Sequence, residues 1–456
     1  MSVFLVMLAV VAARRRAHHL APKPLAVRGG SNEAKSNNML EVRWVPHPRQ
    51  YAEVVHEEAA APRRPSWSVS PQVVSHDGHD LSGWELAACI VADLCPHGML
   101  PLAWAASGTG VVPALLLMVG FGAISAYTMY LCTLVGGVGG STLSAAWATA
   151  GLARPAIVDA TVASLCAGCC VFYAAFAGDL FHALAASLGA RRSRAQVIAA
   201  LFAAPLAPLC LADDLSLLKY SSYAGLLGVA YTALFVLSSD HAAPPIPLFK
   251  VSRRTPGLIN ALVVAYLCHY NALQYYAELR RATPTGYAKV VGAAFTLTNV
   301  VFSAMLLGGL AAFGTAAKPN ILNNFGPSPA AGLAKLGTGL AILSGFPLMF
   351  AGLKAALDDT LVERFPRERK RVYVAILVAI ASVAAVATEE DVGLVIELIG
   401  STLGCATAYI IPGVVAAFSA HLPVRHRYLG TAVAVVGGIL SVASTCLTLG
   451  HRASSS

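Results

Sequence analysis

The sequence predicts an all-α integral membrane protein of about 11 transmembrane helices, built as two inverted halves of five plus one extra helix. Three observations carry this. The chain has 456 residues, of which 57% are hydrophobic and only 12% charged, about half the charge of an ordinary soluble chain. Its apolar residues come in long runs, and no Asp, Glu, Lys or Arg stands between Asp93 and Arg154. The runs also recur at a nearly constant offset of about 175 residues. Backbone polar groups have no water partners in lipid, so runs of this length must be helices.

The spans fall at about 84–106, 112–135, 156–184, 195–212, 217–238, 257–277, 288–313, 332–356, 372–388, 392–418 and 428–449. With an inside amino terminus, the inner loops carry Arg154, Lys219, Arg280, Arg281, Lys289, Arg364, Arg367, Arg369, Lys370, Arg371, Arg425 and Arg427. The outer loops carry fewer: Arg191, Arg192, Arg194, Lys250, Arg253, Arg254 and Lys318. The excess on one side is the positive-inside bias, and it assigns the carboxyl terminus to the outside or lumen.

The net charge of +9 follows from the same loops and from a basic amino-terminal tail. No basic face with interleaved aromatics accompanies it, so no nucleic-acid partner is expected. Residues 1–80 are rich in Pro, Ser, Arg and His without periodicity and read as a disordered cytoplasmic tail. Met1–Ala13 is apolar for about half a span and is followed by Arg14, Arg15 and Arg16, the reverse of a signal peptide. No acidic residue precedes Glu33, so an organelle transit peptide is the other reading of this segment. Residues 451–456 form a short carboxyl-terminal tail.

The ten cysteines lie in or beside apolar segments, not in a long loop where a disulfide framework would form. Cys166, Cys169 and Cys170 read as small packing residues of a membrane helix. No metal and no cofactor is expected.

Five spans cannot recur in the same orientation in the next five, because an odd number reverses topology. Spans 1–5 (about 84–238) therefore map onto spans 6–10 (about 257–418) as an inverted repeat, and 428–449 is the extra helix. Many carriers are built this way, with the solute between halves at interrupted helices. Span 1 has Pro96 and Pro101, which cannot donate backbone hydrogen bonds, and Gly98, which tolerates unusual dihedrals. Span 6 places Cys268, His269, Tyr270 and Asn271 at the corresponding depth. Asp93 stands just before the prolines. An ionisable group in mid-bilayer costs at least about 2.5–3.5 kcal/mol and is a functional candidate by default.

At these segments the chain resembles the amino acid/auxin permease family. The matching stretches are PLCLADDLSLLKYSSYAG from Pro208, AYLCHYNALQYYAEL from Ala265, ILNNF at 321–325, FPLMFAGLK at 346–354, and IELIGSTLG at 396–404 followed by IIPG. The resemblance covers about 84–415. It implies a fold of the leucine-transporter type and solute uptake driven by a proton or sodium gradient, with amino acids the usual substrates. Carried over by position, it implies a substrate site at Cys95, Pro96, His97 and Gly98 and at Cys268, His269, Tyr270 and Asn271. Tyr173 and Asp179 would face the cavity or its mouth. Ser344 would approach the interrupted part of span 1, where related folds hold sodium.

The chain departs from the family in that interruption. Leu94-Cys95-Pro96-His97-Gly98 stands where a run of small residues is usual, and Ile90 or Val91 stands near the expected Asn. Asp93 and His97 can both titrate when buried, so H+ is the expected coupling ion and Na+ the alternative. The expected mechanism docks the solute carboxylate on N–H groups near Gly98 and its amino group around His269 to Asn271. Protonation of Asp93 then lets spans 1, 2, 6 and 7 rock against spans 3, 4, 8 and 9.

The expectation is thus a secondary active, alternating-access transporter of amino acids or related small solutes. It would be a multi-pass protein of the plasma membrane or a vacuolar or other endomembrane, rather than the plastid. The lipid bilayer is its other partner, and its oligomeric state is open. A non-transporting nutrient sensor would keep the same fold and site. An intramembrane enzyme is disfavoured. His97, His182 and His269 lack the partners of a di-iron centre, and the stretch ending in Gly178-Asp179 lacks the Gly-x-Gly-Asp form of an intramembrane protease.

Overall fold

A computed structural model describes residues 81–453, except 137–141, 213–217, 240–242, 244–246, 281 and 358–367. The expectation of a disordered tail over 1–80 therefore lies outside the described residues, as do Arg364 and Arg367 of the loop between spans 8 and 9.

Among the described residues, seven helices are long and apolar enough to cross a bilayer: Val111–Gly136, Ala156–Ser187, Arg194–Leu211, Pro284–Ala316, Pro329–Leu357, Glu389–Phe418 and Val424–Gly450. They correspond to spans 2, 3, 4, 7, 8, 10 and 11. Span 5 is the helix Leu218–Leu237 and span 9 the helix Arg369–Val386. Spans 1 and 6 are each split in two. The chain is a multi-pass integral membrane protein.

Span 1 begins at a capping box. Ser82 Oγ accepts from the Glu85 N–H, and Glu85 Oε2 accepts from the Ser82 N–H, which satisfies two end donors at once. Helix α1 (Gly83–Gly98) then runs into the membrane and α2 (Leu102–Ala106) completes the crossing. The expected interruption at Leu94–Gly98 is displaced. Pro96 and Gly98 lie in the last turn of α1, and the chain leaves the helix at Met99–Pro101. The reason is local. Pro96 costs the helix one bond, from its absent N–H to the Ala92 carbonyl, but its φ still suits a helix. Pro101 follows directly, and it disfavours helical dihedrals at the residue before it.

In span 6, α9 (Thr255–Ala265) stops, Tyr266–Cys268 is non-helical, His269–Asn271 makes one tight turn, and α10 (Ala272–Glu278) follows. Nothing at 266–268 is a proline or glycine. The two interruptions meet. A Cβ built on Gly98 would lie 3.0 Å from the Ala265 backbone and 2.7 Å from the Phe302 ring.

The remaining long helices follow in order: α3 (Val111–Gly136), the short α4 (Leu143–Thr149) in the loop between spans 2 and 3, and α5 (Ala156–Ser187). Span 4 is α6 (Arg194–Leu201), a widened π turn at Phe202–Leu206 containing Pro205, and α7 (Ala207–Leu211). Then come α8 (Leu218–Leu237), α11 (Pro284–Phe313), α12 (Pro329–Leu357) and α13 (Arg369–Val386). Span 10 is α14 (Glu389–Ile399), two π turns at Gly400–Gly404 and Ala406–Ile410, and α15 (Ile411–Phe418). The last helix, α16 (Val424–Ala453), runs through part of the expected carboxyl-terminal tail.

Packing sorts the spans into two bodies. Helix α11 lies against α1 and α3, and α9 lies against α1 and α2, which joins spans 1, 2, 6 and 7. Helix α5 lies against α12, α13 and α6, which joins spans 3, 4, 8 and 9. Span 5 packs on span 8 through facing glycines. A Cβ on Gly228 would come within 2.5 Å of the Gly337 backbone. Small residues let membrane helices approach this closely, where packing replaces the missing hydrophobic drive.

Candidate functional site

Asp93 lies in the buried core where the two interrupted spans meet. Its side chain faces span 6 and not lipid. Tyr275 Oη donates to Oδ2 at 2.8 Å, Asn271 Nδ2 to Oδ2 at 3.4 Å, and Tyr270 Oη to Oδ1 at 3.2 Å. All three donors are neutral, and among the described residues no basic side chain pairs with this carboxylate. Hydrogen bonds to a charged acceptor contribute roughly 1.5–3 kcal/mol each. Three of them reduce, without cancelling, the desolvation that a lone carboxylate would suffer here.

One turn further along α1, the His97 ring lies across span 3. Tyr173 Oη and His97 Nδ1 share a short hydrogen bond, and the rings sit 4.9 Å apart. Phe172 closes the other side at 6.0 Å. Two glycines of α12 leave room for this aromatic layer. Gly345 faces Tyr173, while Gly352 faces Cys166 and Tyr270. They are seven residues apart, two turns of one helix face.

The expected site residues therefore divide into groups. Asp93, Tyr270 and Asn271 come together, and His97 with Tyr173 stands beside them. Gly98 serves the contact between interruptions. Pro96 and Ser344 instead line a water-sized cavity of about 10 Å³ between spans 1, 5 and 8, shared with Ala92 and Ala341. Cys95 turns toward Thr298 of span 7. Cys268 contacts Met129 of span 2 through sulfur at 3.3 Å. His269 also faces span 2: its Nε2 lies 2.8 Å from Thr128 Oγ1 and 3.1 Å from the Ser125 carbonyl. It pins the short turn of span 6 to α3.

Tyr275 escaped the sequence reading, although it makes the shortest bond to Asp93. A signal was present: it follows Asn271 by four residues, and so shares its helix face. Asp179 does not border Asp93 but holds a rim toward the carboxyl-terminal end of span 3. It pairs with Arg194, whose guanidinium also donates to the carbonyls of Ala175, Ala384 and Ala385. Asn323 Nδ2 bridges Asp179 Oδ2 at 3.2 Å and Glu389 Oε1 at 2.9 Å, and Lys318 pairs with Glu389 at 3.3 Å. Two residues before Asn323, the Ile321 N–H donates to the Leu100 carbonyl in the span 1 interruption at 3.4 Å. The segment between spans 7 and 8 thus ties the rim of spans 3, 4, 9 and 10 to the site.

Comparison with known proteins agrees with this architecture. Residues 79–445 match the model of the family described as transmembrane amino acid transporter protein. Vacuolar amino acid transporter 6 of Saccharomyces cerevisiae is 25% identical over 65% of this chain and 69% of its own length. Sodium-coupled neutral amino acid transporter 7 of Bos taurus is 22% identical over 59% of this chain and 63% of its own. Vacuolar amino acid transporter 7 of Saccharomyces cerevisiae is 25% identical, and the match spans only 44% of its length. Among solved structures, MhsT in complex with L-phenylalanine superposes with a TM-score of 0.53 at 14% identity, over 81% of this chain and 99% of that one. The manganese transporter of Eremococcus coleocola superposes with a TM-score of 0.53 at 15% identity, over 84% and 90%. These two likenesses concern the fold, which is of the leucine-transporter type. With the family match covering both halves and both interruptions, the chain belongs to the transmembrane amino acid transporter family.

Proposed function

We propose that this chain carries amino acids across a membrane by alternating access, driven by a proton gradient through Asp93. The observation that carries the reading is a carboxylate of span 1 that no basic side chain among the described residues pairs with, held by three neutral donors of span 6 beside the two interruptions. A group so placed takes up and gives back a proton as the body of spans 1, 2, 6 and 7 moves against span 3, whose Tyr173 stands beside it. The solute carboxylate docks near Gly98 and its amino group near His269 to Asn271, with Tyr173 and His97 forming one wall. Relatives named as vacuolar transporters support a vacuolar or other endomembrane location, with the plasma membrane as the other choice.

The test is uptake of a panel of labelled amino acids into proteoliposomes under an imposed pH gradient. Asp93→Asn is expected to lose gradient-driven uptake while retaining solute exchange at equal pH. Undiminished gradient-driven uptake by the variant would remove Asp93 from coupling.

Sodium coupling is the second reading, and one observation favours it. Pro96 leaves the Ala92 carbonyl without its usual helical donor, and Ala92, Pro96 and Ser344 line the same small cavity. Carbonyl and hydroxyl oxygens are the ligands a hard cation takes, and relatives named as sodium-coupled carriers add weight. Uptake that follows an imposed sodium gradient at constant pH, and is lost in Ser344→Ala, would establish this reading over the first.

A further inference from the structure

The outer ends of spans 3 and 4 carry three arginines, Arg191, Arg192 and Arg194, on the side that the loop bias disfavours. Arg194 is accounted for by Asp179 and three carbonyls. Arg191 and Arg192 are exposed, and among the described residues neither pairs with a carboxylate.

Beneath them lies a groove of about 640 Å³ on the outward face of span 4. Arg192 and Gln196 form its upper end, and Phe181, Ala200, Ala204 and Pro205 line it below. Gln196, Ala200 and Ala204 are spaced by four and stack in one row of the helix, so the floor is set back by small side chains. From Arg194 to Pro205 the helix descends about 16 Å at 1.5 Å per residue. One leaflet of the hydrocarbon core is about 15 Å deep. The groove therefore runs the depth of a leaflet, with its cationic end at headgroup level. Gln196 Oε1 already accepts from the Ser193 N–H at 3.0 Å, which leaves its amide N–H groups to donate upward.

We propose that this groove binds an anionic phospholipid. One acyl chain lies along Ala200 and Ala204 toward Pro205, and the phosphate sits against Arg191, Arg192 and the Gln196 amide. The charge is confined to this end of the groove, and its lower part is apolar. The foot of the groove is the π turn Phe202–Leu206, whose Phe202 ring packs edge-on against Phe346 of α12 at 5.4 Å. Phe346 is two residues from Ser344, so a bound lipid braces span 4 against the helix that lines the small cavity.

The experiment is native mass spectrometry of the full chain equilibrated with equal amounts of phosphatidylglycerol and phosphatidylcholine, with thermal unfolding in each lipid as a second readout. The wild-type chain is expected to retain phosphatidylglycerol preferentially and to unfold at higher temperature in it. Removing the arginines should reduce that preference about fivefold each, so Arg191→Gln with Arg192→Gln brings it close to parity and abolishes the unfolding shift. Ala200→Phe with Ala204→Phe, which fills the groove and keeps the arginines, should lower retention of both lipids. Parity of the two lipids on the wild-type chain would overturn the proposal. So would an unchanged preference in the arginine variant, or unchanged retention of both lipids when the groove is filled.

Discussion

At the scale of single residues, Asp93 and its three donors form a unit in which each member has a separable role. Tyr275 makes the shortest of the bonds. Tyr275→Phe keeps the ring and removes only the hydroxyl, at the cost of a bond to a charged group worth roughly 1.5–3 kcal/mol. Gradient-driven uptake should fall by about tenfold or more at unchanged expression. Tyr270→Phe and Asn271→Leu, which lose longer bonds, should cost less. Tyr173 and His97 pair by one short hydrogen bond. A cycle of Tyr173→Phe, His97→Phe and the double variant, read by solute affinity, should therefore show a coupling of about 0.5–3 kcal/mol; additive losses would mean that the two rings act separately. Asp93 was legible in the sequence because a charge in an apolar run stands out. Tyr275 was not, because a tyrosine in a membrane helix is ordinary until its face is known. His269 stands out by its polarity as well, and its ring faces Thr128 and Ser125 of span 2, where it secures the short turn of span 6.

At the scale of elements, the two interruptions have different origins. Span 1 breaks beside Pro101, which disfavours helix at the residue before it, so the break is written in the chain within a few residues of Leu94–Gly98. Span 6 breaks at Tyr266–Cys268 without a proline or glycine, next to its contact with Gly98 of span 1. The approach of Gly98 to the Ala265 backbone leaves no space for a side chain. Gly98→Ala would place a methyl 3.0 Å from that backbone, which cannot yield as a side-chain tip can. The variant should reach the membrane and lose most transport, and restored transport on trimming the Phe302 ring alone would show that the backbone contact is not limiting. The crossing of spans 5 and 8 is a structural counterpart. Gly228→Leu would drive a side chain into Gly337 within 2.5 Å. Its expected effect is loss of folded protein, measured by recovery after size exclusion, and not a selective loss of uptake.

At the scale of the whole molecule, the bonded rim closes one side of the carrier. Asn323 bridges Asp179 and Glu389, while Ile321 of the same segment holds Leu100 in the span 1 interruption. Opening that side must break these contacts. Asn323→Leu removes the bridge and leaves two neighbouring carboxylates without their shared donor. Labelling of buried Cys95 by an impermeant thiol reagent, applied from the side bearing Arg194 and Glu389, should rise severalfold over the parent; Cys446, which is exposed, is replaced by Ser in both. Unchanged labelling would mean that the rim is not what closes that side. Residue types along the chain determined by themselves that it is helical, where it crosses the membrane, that its halves repeat, and that span 1 is broken beside an ionisable group. Those properties follow from the cost of bare backbone and charge in lipid, which acts on each segment separately. Only the tertiary structure decided which polar groups face Asp93, where span 6 breaks, and that Asp179 belongs to the rim. Each of these depends on the rotation of one helix against another, and that is fixed by packing between segments far apart in the chain.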